Sequence, residues 1–301
     1  MPAQFGCRAM SYGVAAAPQT DSIVFVSNAA GNYERGRIDV IPDGFGDAEF
    51  TLLMWVRLTT GTSSDFADDT PEQRNDWTTR DTNPYSFATW WFRGNFLLDG
   101  HNNNAFFSGT FSVQFTGNGR VRWLFGDGAA ADARVGDLHA VQASPSSGTA
   151  SLLDGAWHRI GLVRRWDGGT GAILELWVDA AMVASETSTA RTNMATTYWD
   201  SWTGYPANQN NWMFGCEKQS ALGVISQWED FKGNLSELSF WNRALSSGEL
   251  ADLSFVANSD SGLVGVYRFT EQTGTTAANA LSASNNMTLT NSPAWSSAGP
   301  F

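Results

Sequence analysis

Apolar and polar residues alternate in short runs along most of the chain, and Gly, Asn and Asp separate the runs. A period of two marks strands with one buried face, and its repetition at short spacing points to an all-β sandwich or barrel. "DSIVFVS" at 21–27 and "GRIDVI" at 36–41 read as the first two strands. "EFTLLMWVRL" at 49–58 differs: Phe50, Leu52, Met54 and Val56 share one side, while Leu53 and Trp55 join Thr51 and Arg57 on the other. Such a strand is buried on most of both faces. "GTFSVQFTGNGRVRWLFGDG" at 109–128 sets Phe111, Val113 and Phe115 against Val121, Trp123 and Phe125 across "GNG", a hairpin pattern.

Two more strands and a Gly-rich turn read from "HRIGLVRRWDGGTGAILELWV" at 158–178. His158, Ile160, Leu162, Arg164 and Trp166 share one face. Leu174, Leu176 and Val178 point to the core, and Glu175, Trp177 and then Asp179 point away. "FKGNLSELSFWNRALSSGELADL" at 231–253 predicts a strand followed by one short helix, with Ser246 and Glu249 at capping-box spacing. "GLVGVYRF" and "MTLT" add strands near the C-terminus. Helix is otherwise almost absent, and no Pro-rich or Gly/Ser-rich linker divides the strands. A single sandwich domain over 1–301 is the simplest organisation.

Three stretches break the alternation. Residues 59–84 are polar, with six acids and two Arg; 128–151 are rich in Ala, Ser and Gly; 196–215 mix aromatic and polar residues. Loops of this length inside a compact domain are functional or mobile.

Charge narrows the partners. A net charge of −12 over 301 residues argues against nucleic acid, which needs a basic face. It suits calcium, neutral glycans or an uncharged partner. Fourteen Trp exceed the needs of a core and leave candidates for stacking platforms. Arg outnumbers Lys, which occurs only as Lys218 and Lys232. Cys7 and Cys216 could pair or remain two ordinary thiols. No secretory signal and no apolar run of membrane-spanning length is visible. A virion surface or an extracellular location reached without a leader is the expectation.

Around residue 155 and again after 231 the chain resembles the LamG-like jelly roll of the concanavalin A-like lectin/glucanase group. Gly155, Trp157 and His158 match its "G-x-W-H" strand start. Leu174, Leu176, Val178 and Asp179 match its "L-x-L-Y-V-D-G" strand. Gly233, Leu235, Glu237, Leu238, Phe240, Asn242, Arg243, Ala244, Leu245, Ser246, Glu249 and Leu250 match its closing segment. The spacing agrees over most of 20–255. The resemblance implies an antiparallel two-sheet jelly-roll sandwich. It also implies that the C-terminal strands, over 263–301, either close the sheet beside the N-terminal ones or form a separate pair; the first is favoured. One departure is "VDAA", where the family has "VDG". Ala tolerates positive φ poorly, so a longer or different turn is expected at 179–181. The stretches at 59–84 and 196–215 are also long for the family.

Catalysis finds little support. Sugar-cleaving members of the group carry paired acids as E-x-D-x-E or E-x-D-x-x-E, and neither motif occurs. Retaining chemistry needs carboxyls about 5 Å apart. Glu175 and Asp179 lie four residues apart on a strand, roughly 13 Å, with Trp177 between them. His158 has no nucleophile in a recognised elbow and reads as a strand-start residue that hydrogen-bonds across the sheet. His101 and His139 stand alone, without zinc spacing. No catalytic residues are assigned, and a glycoside hydrolase is the least favoured reading.

Two binding readings remain. Hard cations take Asp, Asn and backbone oxygens, so Asp65, Asp68, Asp69, Asp76 and Asp81 in one loop, with Asp127 beyond it, could hold calcium. A solvated acidic loop is the favoured explanation of that charge pattern. Aromatic faces stack on sugars while amides and carboxylates read hydroxyls. Trp199, Asp200, Trp202, Tyr205, Asn208, Asn210, Asn211 and Trp212 form such a set, with a similar flavour in "HNNNAFF" at 101–107. These aromatics could instead pack inward or make a subunit contact. The expectation is a non-enzymatic recognition or display module, on a virion surface or as a secreted calcium-dependent lectin. Its partners would be glycans or other surface proteins, with self-assembly or attachment to a larger particle.

Overall fold

The computed structural model describes residues 21–26, 34–39, 41–46, 48–59, 95–100, 111–115, 119, 121–126, 138–142, 152–188, 212–216, 231–254 and 256–300. The early strands are β1 (Ser22–Phe25), β2 (Arg35–Ile38), β3 (Phe50–Leu58), β4 (Asn95–Asp99), β5 (Phe111–Phe115), β6 (Val121–Gly126) and β7 (Leu138–Gln142). Then come β8 (His158–Trp166), β9 (Ala172–Val178), β10 (Ala181–Ser188), β11 (Trp212–Phe214) and β12 (Gly233–Trp241). Helix α1 (Ser247–Ala251) follows, then β13 (Leu263–Tyr267), β14 (Thr276–Ala277), β15 (Met287–Thr290) and β16 (Ala294–Ser296). The chain folds as two antiparallel sheets packed as a jelly-roll sandwich.

The first sheet runs β10-β9-β8-β3-β12-β1-β16. One edge of β12 is shared: Gly233–Leu235 pair with β1, and Leu238–Trp241 pair with β13. The second sheet runs β14-β15-β2-β11-β4-β5-β6-β7. The last strands return to the first ones, β15 beside β2 and β16 beside β1.

The alternation explains why these segments form strands and which side faces inward. On β3, Phe50, Leu52, Met54 and Val56 are fully buried against the opposite sheet, and Leu53 and Trp55 on the second face are nearly so. The β5–β6 hairpin has the expected register, Phe111 opposite Phe125, Val113 opposite Trp123 and Phe115 opposite Val121. Aromatic rings fill the centre. Phe45 lies 4.8 Å from Phe50, and Phe111 stacks on Trp212 at 4.8 Å. Arg164 enters this apolar space fully buried. It is tolerated because its guanidinium donates to the Ala48 and Gly46 carbonyls at 3.0 and 2.8 Å and lies over the Phe50 ring. Gly215 has φ +91°, and a Cβ there would meet the Phe25 ring at 2.5 Å, so only glycine fits.

Helix α1 carries the predicted capping box: Glu249 N–H donates to Ser246 Oγ, and Ser246 N–H donates to the Glu249 carboxylate. The β9–β10 turn corrects the sequence expectation. It is neither long nor unusual: Val178 pairs with Ala181, leaving a two-residue turn with φ +47° at Asp179 and +70° at Ala180. The Asp179 side chain explains why. Its Oδ1 accepts Arg159 N–H at 2.9 Å and its Oδ2 lies 2.6 Å from His158 Nδ1. Those bonds outweigh a left-handed cost of about 1–2 kcal/mol at Ala180.

Candidate functional site

Paired residues in a sheet share a face, so the register of the second sheet places one row across it. Thr276, Thr288, Arg37, Met213, Asp99 and Ser112 follow one another on the side opposite the core. Gln114 and Arg122 form the next row. Asp99, Ser112 and Gln114 are fully buried, Arg122 nearly so, and Gln114 Nε2 donates to Ser112 Oγ at 3.1 Å. A carboxylate, a guanidinium, an amide and a hydroxyl thus lie out of solvent on this face. In sequence, 128–151 contains β7 and 196–215 contains β11, both strands of this sheet, while 59–84 lies between β3 of the first sheet and β4 of this one.

Of the residues proposed for sugar binding, Trp212 is described, and it corrects the expectation. It is 3% exposed, and it stacks on Phe111 with a 16° interplanar angle. An indole so placed serves the core and presents no face to a sugar. Trp199, Asp200, Trp202, Tyr205, Asn208, Asn210 and Asn211 lie outside the described residues. So do the calcium candidates Asp65, Asp68, Asp69, Asp76, Asp81 and Asp127, as well as His101 and Cys7. His139 falls in β7, but its side chain is not among those described. Cys216 is buried beside Met213. Among the described residues no three His, Cys, Asp or Glu side chains come together as metal ligands.

The apparent acid–base residues hold the fold together. His158 Nδ1 lies 2.6 Å from Asp179 and its Nε2 lies 3.0 Å from Asp154. The bond to Asp179 and then that to Asp154 push the imidazole pKa up, against burial, which pushes it down. Glu175 is paired with Arg165 at 3.0 Å and accepts Trp177 Nε1–H at 3.0 Å. Glu175 and Asp179 thus have separate partners, and no common reacting point.

A concavity that the sequence did not announce lies on the outer face of the first sheet. There α1 and residues 252–261 enclose a cleft of about 330 Å³. Leu53, Trp241, Leu245 and Val256 make its apolar lining, part of a second small core. Arg243 clamps Glu249 with two bonds, of 3.1 and 2.5 Å, and its Nε donates to Ser261 O at 2.8 Å. The clamp is the main reason the Glu249 carboxyl falls to about 2. Arg159 donates to the carbonyls of Asp252 and Glu249. Close to it, Glu237 occupies the β12 bulge at φ +36° and is 3% exposed. Its Oε1 accepts Val256 N–H at 2.8 Å, and Oε2 has no partner among the described residues. Burial pushes this carboxyl up to about 7, although the Val256 amide and the Arg268 and Arg159 guanidiniums pull it down.

Comparisons agree on the class of fold. A candidate carbohydrate-binding protein from Bacteroides ovatus superposes with a TM-score of 0.51 at 13% identity, over 91% of this chain and 58% of that one. The chain therefore spans little more than half of that protein. A heptameric pentraxin of Limulus polyphemus gives 0.49 at 11% identity, over 92% and 97% of the two chains. The CBM40 module of a Ruminococcus gnavus sialidase gives 0.43 at 10% identity, over 78% and 98%. No family model matches the chain, and no curated protein matches it. The Bacteroides ovatus protein and this chain share the two-sheet sandwich fold. No helix among the described residues is long and apolar enough to cross a membrane.

Proposed function

We propose that this chain is a LamG-like, non-enzymatic recognition module that binds glycan. The observation that carries the reading is the second sheet. The aromatic, Asn-rich stretch at 196–211 runs directly into its central strand β11. The fold shared with a candidate carbohydrate-binding protein supports it. Sugars demand this combination of flat apolar faces and fixed polar groups. Trp199, Asp200, Trp202, Tyr205, Asn208 and Asn211 remain the proposed contacts, with Trp212 removed from the set. Asp65, Asp68, Asp69 and Asp127 remain the proposed calcium ligands. Display on a virion or other particle surface is the second part of the proposal.

A glycan array probed with calcium and with chelator tests the first part. Specific signal is expected, lost in the Trp199→Ala and Trp202→Ala variants by about tenfold or more per stacking residue. Silence across all glycans under both conditions would sink it. Sedimentation tests the second part: a strictly monomeric chain that never associates with particles would remove the display role.

A further inference from the structure

We propose that the cleft between α1 and residues 252–261 binds a basic side chain of a partner protein: an ammonium or guanidinium on an aliphatic stem. This site lies on the first sheet, away from the proposed glycan surface, and does not depend on it. A cleft of about 330 Å³ is large enough for a small organic group. Its chemistry selects which one.

The positive groups in the wall are already committed. Arg243 is spent on Glu249 and Ser261, and Arg159 on the carbonyls of Asp252 and Glu249. Glu249 is in turn occupied by Arg243 and Ser246. The two remaining carboxylates are less engaged. Among the described residues Asp252 accepts a hydrogen bond from Ser254, with Arg159 acting on it through space, and Asp260 accepts the Ala257 amide at 3.0 Å, with Arg243 and Arg268 acting on it through space. An ionised carboxylate has about four acceptor positions, so both retain capacity. Two guanidiniums face three carboxylates in the wall, which leaves it net negative. An anion is therefore disfavoured by charge. A pyranose is disfavoured because Trp241 is 4% exposed and its Nε1 is bound to Ser239, leaving no open ring face. A metal ion is disfavoured because no three ligating side chains converge among the described residues.

A cation with an apolar stem satisfies both halves of the cleft. The stem lies along Leu53, Leu245 and Val256, and the head reaches Asp252 and Asp260. The net charge of −12 favours the approach of a basic partner.

The test titrates the intact chain with capped arginine, Nα-acetyl-arginine methylamide, followed by amide NMR, with glucose and acetate as parallel probes. Saturable shifts are expected at Ser254, Val256, Asp260 and Ser261 with arginine alone. In the Asp252→Asn/Asp260→Asn double variant the affinity should fall roughly tenfold or more. Asn can still accept the Ser254 and Ala257 amides, so the local turns are kept. If that variant does not fold, the wild-type salt series decides, because binding to carboxylates at an open cleft must weaken as salt rises. No saturation, equal response to glucose or acetate, an unchanged affinity in the double variant, or a salt-independent affinity overturns the proposal.

Discussion

At the residue scale the most informative group is His158. Two carboxylates bracket one imidazole, so both ring nitrogens serve best as donors and the protonated ring is favoured. The folded pKa is raised above the unfolded value of about 6.5. Its contribution to stability is therefore complete below the unfolded pKa and is lost as pH rises through the folded one. Asp154 is lowered chiefly by its bond to His158, so that pairing also fails when acid protonates Asp154. Glu237 acts in the same direction as His158: a buried carboxyl with its pKa at about 7 makes stability decline as pH rises from 4.5 to that value. Comparing the wild type with His158→Gln isolates the histidine. The stability difference, read from urea midpoints, should be largest below the unfolded pKa of about 6.5 and shrink as the pH rises through the raised folded value. A difference that stays constant over that range would show that the imidazole is not held charged. Trp212 marks the limit of reading single residues from sequence. Its aromatic and polar neighbours suggested a binding loop. Only the register of β11, with Trp212 opposite Ile38, shows that it points to the core.

At the element scale, strands were legible wherever burial alternates. β3, β8, β9 and the β5–β6 hairpin fall where Phe50, Ile160, Leu174 and Phe111 set the parity, because one slipped residue would turn every apolar side chain to the wrong face. The β9–β10 turn was not legible, because its conformation is decided by two bonds from Asp179 and not by the preference of Ala180. That makes a specific outcome for Ala180→Gly. Glycine removes the left-handed cost but loses more entropy on folding. The net is a gain of about 0.5–1 kcal/mol, measurable as a higher urea midpoint with unchanged slope. A loss of stability would mean that Ala180 is not strained at φ +70°. The β12 bulge was equally hidden. Glu237 matches an ordinary strand position in sequence, yet its positive φ turns it towards Val256 and Arg159, where it anchors the segment that closes the cleft.

At the scale of the whole molecule, topology follows from where the chain can cover exposed strand edges. The sandwich was readable because each strand announces a buried face. The sites were less so: polar loops have no period, and the cleft joins residues from β3, β8, β12 and the segment beyond α1, which only the fold brings together. The C-terminal strands show what that closure is worth. β13 pairs with half of one β12 edge, β15 with β2 and β16 with β1. Tyr267, Phe269, Met287 and Leu289 arrive with them, all at most 4% exposed. At roughly 1.5–3 kcal/mol for each buried large side chain, these four supply about 6–12 kcal/mol. That is comparable to the total stability of a typical domain, about 5–15 kcal/mol. Deleting residues 262–301 would also leave β1, β2 and half of β12 with unpaired edges, which invites aggregation. The truncated chain is therefore expected to lose its cooperative unfolding transition and to partition into the insoluble fraction. A soluble truncated chain that unfolds cooperatively at the wild-type temperature would show that β1–β12 close a core by themselves, with the last four strands only an appendage.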